Sequence, residues 1–178
     1  MKKRQFQKLL QAHKDRVFGY AVYLLKNPED AEDVVQEVFV KLWDHWESVD
    51  KKRAAAWLMK VTRHQCMDIL RRKQMQGRHA DSVLENDMAS RDPENVFLNP
   101  AVSCEWTETQ LQLMAAMDQL TEKTRQILIL HYFQGFRYQT IGDIMDLNIS
   151  AVKTAVHRGK QKLKNVLTAQ YPEIVESL

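Results

Sequence analysis

A run of basic side chains near the carboxyl end of the chain has the composition of a nucleic-acid-binding surface. Residues 150–164 carry five Lys or Arg residues and no acidic residue. Five polar side chains of this run fall away from its apolar positions at helical spacing: Thr154, His157, Arg158, Gln161 and Lys164. Such a face suits phosphate oxygens and base edges. The alternative is a basic helix that only faces water.

The apolar residues of the same run predict the helix that presents this face. They recur at steps of three and four: Val152, Ala155, Val156, Gly159 and Leu163. Ser150 is predicted to cap the helix, since its hydroxyl can accept from a free backbone N–H. Residues 140–145 predict a short supporting helix and residues 146–149 a turn. The arrangement is typical of a helix-turn-helix, whose second helix enters the major groove of DNA.

An acidic helix over about residues 29–46 forms a second candidate surface. Its predicted buried side recurs at helical steps: Ala31, Val35, Val38, Phe39, Leu42 and Trp46. The opposite side carries acids with apolar neighbours: Asp33, Glu37, Val40 and Asp44, flanked by Gln36 and Trp43. A face that meets only water does not need valine and tryptophan beside its acids, so the pattern leaves a partner surface and a solvated face as equal alternatives.

A basic helix over about residues 54–73 follows. Its predicted buried side is Leu58, Val61, Thr62, Cys66 and Ile69. Its other side carries Lys60, Arg63, His64, Met67 and Arg71, and the run closes with Arg71, Arg72 and Lys73. Basic residues at a helix carboxyl end also suit the helix dipole. Basic charge close to aromatic side chains is, however, how proteins hold unstacked single-stranded bases.

The whole chain predicts an all-α protein of two small helical domains. It has 178 residues, 44% of them hydrophobic, with five glycines, four prolines and a net charge of +3. We expect domains at residues 1–76 and 108–178, the second containing the helix-turn-helix, joined by a flexible acidic linker at 77–107. No signal peptide or membrane span is expected, and two distant cysteines fit a reducing cytoplasm.

Nothing in the sequence predicts an enzyme. His64 and Cys66 lie two residues apart on a helix and so point in different directions. The histidines show no metal-ligand spacing, and no phosphate-binding glycine loop is present, so neither a metal nor a cofactor is expected.

Three ordered stretches resemble the small, extracytoplasmic-function type of bacterial RNA polymerase sigma factors. They are residues 30–39 (DAEDVVQEVF), residues 57–72 from Trp57-Leu58-Met59 to Asp68-Ile69-Leu70-Arg71-Arg72, and the helix-turn-helix ending in His157-Arg158-Gly159. Together the two resembling blocks cover about residues 6–76 and 108–168. The resemblance implies a transcription initiation factor that binds core RNA polymerase, directs it to promoter DNA and assists strand opening.

The resemblance also assigns roles to residues. The core-polymerase-binding face would be Asp33, Gln36, Glu37 and Val40. The melted minus-ten element would meet Lys60, Arg63, His64, Arg71 and Arg72. The minus-thirty-five duplex would meet Ser150, Lys153, Thr154, His157 and Arg158. An anti-sigma factor is a further partner that the resemblance implies.

The alternative is a free-standing helix-turn-helix regulator that binds duplex DNA as a dimer. It leaves unexplained the pairing of an acidic partner helix with an adjacent basic, aromatic helix.

Overall fold

The computed structural model describes the backbone of residues 2–80 and 108–172 and divides the chain into two compact units. Unit 1 comprises residues 1–103 and unit 2 comprises residues 104–178. Every regular element in the described ranges is helical, which confirms the all-α prediction. The predicted linker falls outside the described residues except for positions 77–80, and the predicted domain bounds stay a prediction.

Unit 1 begins with one long helix, α1 (Lys2–Leu25), where the sequence left open a helix or a helix pair. It ends because Lys26 takes a left-handed conformation, with φ of 54°. The second helix, α2 (Pro28–Asp44), starts two residues later. Asn27 caps it by accepting a 3.1 Å hydrogen bond from the Asp30 amide, and Pro28 stands at the first helical position, where no N–H is needed.

A 3₁₀ turn (Lys51–Arg53) leads into α3 (Ala54–Ala80). This helix continues past its predicted end near Lys73, so the first four residues of the predicted linker are helical. The three helices bury a shared core in which Tyr20, Leu42 and Leu58 are at most 1% exposed. The buried hydroxyl of Thr62 is satisfied within α3 by donating to the Leu58 carbonyl at 2.7 Å.

The buried side of α2 matches the prediction except at one position. Five of the six predicted residues are buried, but Val35 is only partly buried and Val34 takes its place at 1% exposure. Val34 lies three residues after Ala31 and four before Val38, so it belongs to the same helical stripe. The acidic side predicted for α2 is therefore the outward side.

Unit 2 contains four helices in its described part. They are α4 (Glu108–Asp118), α5 (Glu122–Leu128), α6 (Tyr138–Met145) and α7 (Ile149–Gln170). Its core buries Ile127, Leu130, Ile141 and Val152 completely. A π-helical turn (Ile129–Phe133) extends α5, with the Gln134 amide donating to the Ile129 carbonyl at 3.0 Å. Gly135, with φ of 69°, then reverses the chain.

Helices α6 and α7 form the predicted helix-turn-helix. Asp146 ends α6 in a left-handed conformation, and the Leu147 amide donates to the Gly142 carbonyl at 2.9 Å. The prediction that Ser150 caps α7 is wrong. The cap is Asn148, whose side chain accepts from the Ala151 amide at 2.7 Å, and Ser150 is already inside the helix.

Candidate nucleic-acid and partner interfaces

The outward side of α2 presents acids around an apolar centre. Asp33, Gln36 and Glu37 are exposed, and Val40 is 59% exposed. Together with Trp43, which is 40% exposed, these residues are called the α2 face below. The combination fits a protein surface that offers both cations and an apolar contact.

Trp43 is held in place from beneath by aromatic packing. The Phe6 ring of α1 meets it edge-on at 5.1 Å between centroids, and Phe6 also packs edge-on against the buried rings of Phe39 and Trp46. The Lys2 ammonium lies 4.4 Å from the Trp43 ring centroid. An exposed indole fixed in this way can bind a partner with little loss of side-chain entropy.

The basic side chains predicted on α3 fall into two groups. Lys60 and Arg63 are partly buried and His64 is exposed, while Arg71 and Arg72 are exposed about two turns further on. Arg71 forms an exposed ion pair with Asp68 at 3.2 Å, an interaction that contributes little in water. The five residues therefore lie along one helix without converging on a pocket, as expected for contacts to an extended strand.

All five predicted DNA-reading residues of α7 are exposed. Ser150, Thr154 and Arg158 follow one another at four-residue steps, and Lys153 and His157 form a neighbouring stripe. These five residues are called the α7 face below. On the opposite side of the helix, Val152, Val156 and Gly159 are buried against the rest of unit 2.

Gly159 explains how closely α7 approaches α5. A Cβ atom at this position would lie 2.6 Å from the Thr124 methyl group and 3.2 Å from a Leu128 methyl group. The packing that orients the α7 face therefore depends on a residue without a side chain.

Two sigma-70 family models match the chain. Sigma-70 region 2 matches residues 9–75, which contain α2 and most of α1 and α3, and sigma-70 region 4 matches residues 110–163, which contain the helix-turn-helix. Together they cover more than half of the chain. The chain belongs to the sigma-70 family of RNA polymerase sigma factors. It is therefore a promoter-specific transcription initiation factor. Sigma factors have no catalytic activity of their own.

Curated relatives place this sigma factor in the extracytoplasmic-function (ECF) type. It is 28% identical over 175 residues to the ECF RNA polymerase sigma factor SigE of Mycolicibacterium smegmatis, covering 97% of this chain and 65% of that relative. It is 24% identical over 172 residues to SigX of Bacillus subtilis, covering 96% of this chain and 88% of SigX.

Solved structures support the fold. The Bartonella quintana sigma factor RpoE, solved in complex with the anti-sigma factor NepR, matches with a TM-score of 0.72 at 23% identity, over 93% of this chain and 98% of RpoE. CnrH, solved in complex with the cytosolic domain of CnrY, matches with a TM-score of 0.64 at 20% identity, over 94% of this chain and 90% of the matched chain.

Unit 2 of this sigma factor also contains a groove that the sequence did not predict. Its volume is about 630 Å³, and its lining is mostly apolar: Leu113, Met117, Leu128, Tyr132, Phe133, Lys160, Leu163, Lys164 and Leu167. The π-helical turn supplies Tyr132 and Phe133, which are 56% and 49% exposed. These residues come from α4, α5, the π-helical turn and α7, so no local pattern in the sequence could have indicated the groove.

Two titratable groups in unit 1 have shifted pKa values. Burial, and to a lesser extent the Asp30 carboxylate, raises the pKa of the Cys66 thiol to about 12. Burial, followed by the positive charge of Arg16, lowers the pKa of His13. The Cys66 thiol is fully buried and remains protonated near neutral pH, so it is not a nucleophile.

Neither a metal site nor a membrane helix was found in the part of the chain that the structure describes. No three His, Cys, Asp or Glu side chains there are grouped as metal ligands. No helix there is both long and apolar enough to cross a bilayer.

Proposed function

We propose that the sigma factor divides promoter recognition between its two units. The α2 face binds core RNA polymerase through Asp33, Gln36, Glu37 and Val40. The basic side of α3 contacts the melted minus-ten element through Lys60, Arg63, His64, Arg71 and Arg72. The α7 face reads the minus-thirty-five duplex through Ser150, Lys153, Thr154, His157 and Arg158.

The observation that supports this division most directly is the contrast between the outward sides of α2 and α7. The α2 face combines carboxylates with an exposed valine and tryptophan, which suits a protein partner. The α7 face has hydroxyl, imidazole and cationic groups and no carboxylate, which suits phosphates and base edges. The basic side of α3 carries the partly buried Trp57 three residues before Lys60, so an aromatic ring and cations share one side of the helix, which suits unpaired bases.

An anti-sigma factor is the proposed regulatory partner, and the cytoplasm is the proposed site of action. The similar RpoE was solved in complex with the anti-sigma factor NepR, and the similar CnrH in complex with the cytosolic domain of CnrY. The groove in unit 2 is suited to an amphipathic helix of such a partner, because an apolar floor is flanked by Lys160 and Lys164, which complement acidic side chains.

The test combines the purified chain with bacterial core RNA polymerase and genomic DNA fragments. We expect a stable complex and transcripts that start at discrete positions, which core polymerase alone does not produce. Aligning these starts gives the two promoter elements. Tight duplex binding by the chain alone, without a complex with core polymerase, would instead support the free-standing dimeric regulator.

A further inference from the structure

Ile149 is an exposed apolar side chain at the amino end of α7. It is the first residue of the helix and is 39% exposed. The other exposed large apolar side chains on α2 and the π-helical turn belong to the α2 face and to the groove in unit 2. Ile149 belongs to neither surface. Its neighbours Ser150, Lys153 and Thr154 are all exposed polar residues.

The fold of unit 2 covers part of the Ile149 side chain and leaves the rest exposed. Asn148 provides the helix cap, and Val152 and Val156 provide the buried contacts of the first two turns. A β-branched residue also has a lower helix propensity than the straight-chain residues that suit an exposed first turn. A water-exposed isoleucine therefore contributes little to stability at this position.

Helical geometry places Ile149 at the border between the buried side and the reading side of α7, seven residues before the buried Val156. It stands four residues before Lys153 and eight before His157, so the three side chains form one stripe along the helix. The amino-terminal residues of a recognition helix are those nearest the base edges in the major groove. Ile149 is thus the apolar residue at the amino end of a stripe whose other two residues are polar or basic.

The major groove offers one apolar group, the C5 methyl group of thymine. We infer that Ile149 contacts the C5 methyl group of a thymine in the upstream duplex element and so selects thymine at that position. This assignment rests on the proposed function of α7 as the duplex-reading helix. It adds a specificity-determining residue to the five of the α7 face.

The test distinguishes a contact with the C5 methyl group from a contact with the hydrogen-bonding groups of thymine. A library of duplexes with a randomised upstream element is prepared twice, once with thymine and once with uracil, which lacks the C5 methyl group but keeps the same donors and acceptors. The full chain in complex with core polymerase selects from both libraries, and the bound duplexes are sequenced. The same selections are made with Ile149→Ala, Ile149→Val and Gln161→Ala, the last being an exposed position on α7 outside the proposed surface.

We expect the unaltered chain to enrich thymine at one upstream position and to lose that enrichment in the uracil library. Replacing the selected thymine alone with uracil should weaken binding about fourfold, as expected for one buried methyl group. Ile149→Ala should remove the difference between the two bases, whereas Ile149→Val and Gln161→Ala should keep it.

An upstream sequence enriched equally in both libraries, or a thymine preference that survives in Ile149→Ala, would overturn the Ile149 assignment alone. A complex that starts transcription but enriches no upstream sequence would overturn the proposed duplex reading by α7 and the Ile149 assignment with it.

Discussion

The two units of this sigma factor expose helix faces of opposite character. In unit 1 the α2 face sets Asp33 and Glu37 beside the exposed Val40 and Trp43. In unit 2 the α7 face has no carboxylate, and the exposed Ile149 lies beside it at the amino end of the helix. Since both helices bury their other side in a similar way, the difference lies in what each outward side is chemically able to bind. Exposed apolar area among acids fits a protein surface, and exposed cations among hydroxyl groups fit nucleic acid.

Reversing one charge on the α2 face should have the largest effect. Glu37→Lys places a cation where the proposed partner surface is cationic, and like-charge contacts at an interface cost several kcal/mol. We expect core polymerase to bind at least about tenfold more weakly. Titration of the fluorescently labelled chain with core polymerase measures the affinity.

The control for this experiment is Glu47→Lys, which makes the same charge change in the turn after α2, outside the α2 face. Thermal unfolding of both variants should resemble that of the unaltered chain. Normal assembly of Glu37→Lys with core polymerase would refute the assignment of α2 as the partner helix.

Removing one cation from the α7 face tests whether this face binds DNA. Lys153→Ala should reduce the slope of log affinity against log salt concentration by about one unit if the ammonium group contacts a phosphate. At physiological salt this corresponds to a loss of about fivefold in duplex affinity. Binding of the polymerase complex to upstream duplex over a range of salt concentrations measures both quantities.

Lys123→Ala, which removes an exposed cation on α5, is the matched control for Lys153→Ala and should leave the salt slope unchanged. An unchanged slope in Lys153→Ala itself would remove the phosphate contact from this residue. Assembly with core polymerase should be unaffected in both variants, since unit 1 is unaltered.

The apolar centre of the α2 face should contribute less to the binding of core polymerase than the charges of this face do. Val40→Ala removes exposed methyl groups without opening a cavity, because Val40 is 59% exposed. We expect core polymerase to bind about fourfold more weakly, as for the loss of one buried methylene-sized contact. The same titration measures the affinity, and Val40→Ile should preserve it. If Val40→Ala binds like the unaltered chain, the α2 face acts through its charges alone.

The buried and exposed sides of the long helices could be predicted from the sequence because helical periodicity separates them over many turns. Both faces of α2 follow from the spacing of its apolar residues, with the exchange of Val35 for Val34 as the single error in the buried set. The exposure of Thr154, His157 and Arg158 follows in the same way from the apolar stripe of α7.

Features decided by tertiary structure could not be predicted. Ser150 and Asn148 are both good caps two residues apart, and the cap is Asn148, which follows the left-handed Asp146 at the end of α6 by two residues. The groove in unit 2 depends on a π-helical turn, which has no sequence signature of its own, and on residues distant in the chain. The exposure of Ile149 was missed because the sequence placed this residue in the turn before α7, where helical periodicity does not say which side a residue faces.

The smallest expected effect is a loss of the folding stability of unit 1 in acid. The pKa of His13 in α1 is lowered from 6.5 by burial and by Arg16, so the folded protein favours the neutral imidazole. The unfolded chain therefore binds this proton more readily, and stability should fall as the pH drops below about 6.5, until the folded form is protonated as well. His13→Gln should reduce this decline.

Urea unfolding of the chain carrying Trp106→Phe at a series of pH values, followed by tryptophan fluorescence, measures the decline in unit 1, because the remaining Trp43, Trp46 and Trp57 all lie there. His157→Gln, which removes an exposed imidazole from unit 2, should leave the decline unchanged. If His13→Gln loses stability with acid as steeply as the unaltered chain, the acid sensitivity of unit 1 comes from groups other than this imidazole. If it does not, the helix that supports the α2 face from beneath carries a group whose protonation destabilises unit 1.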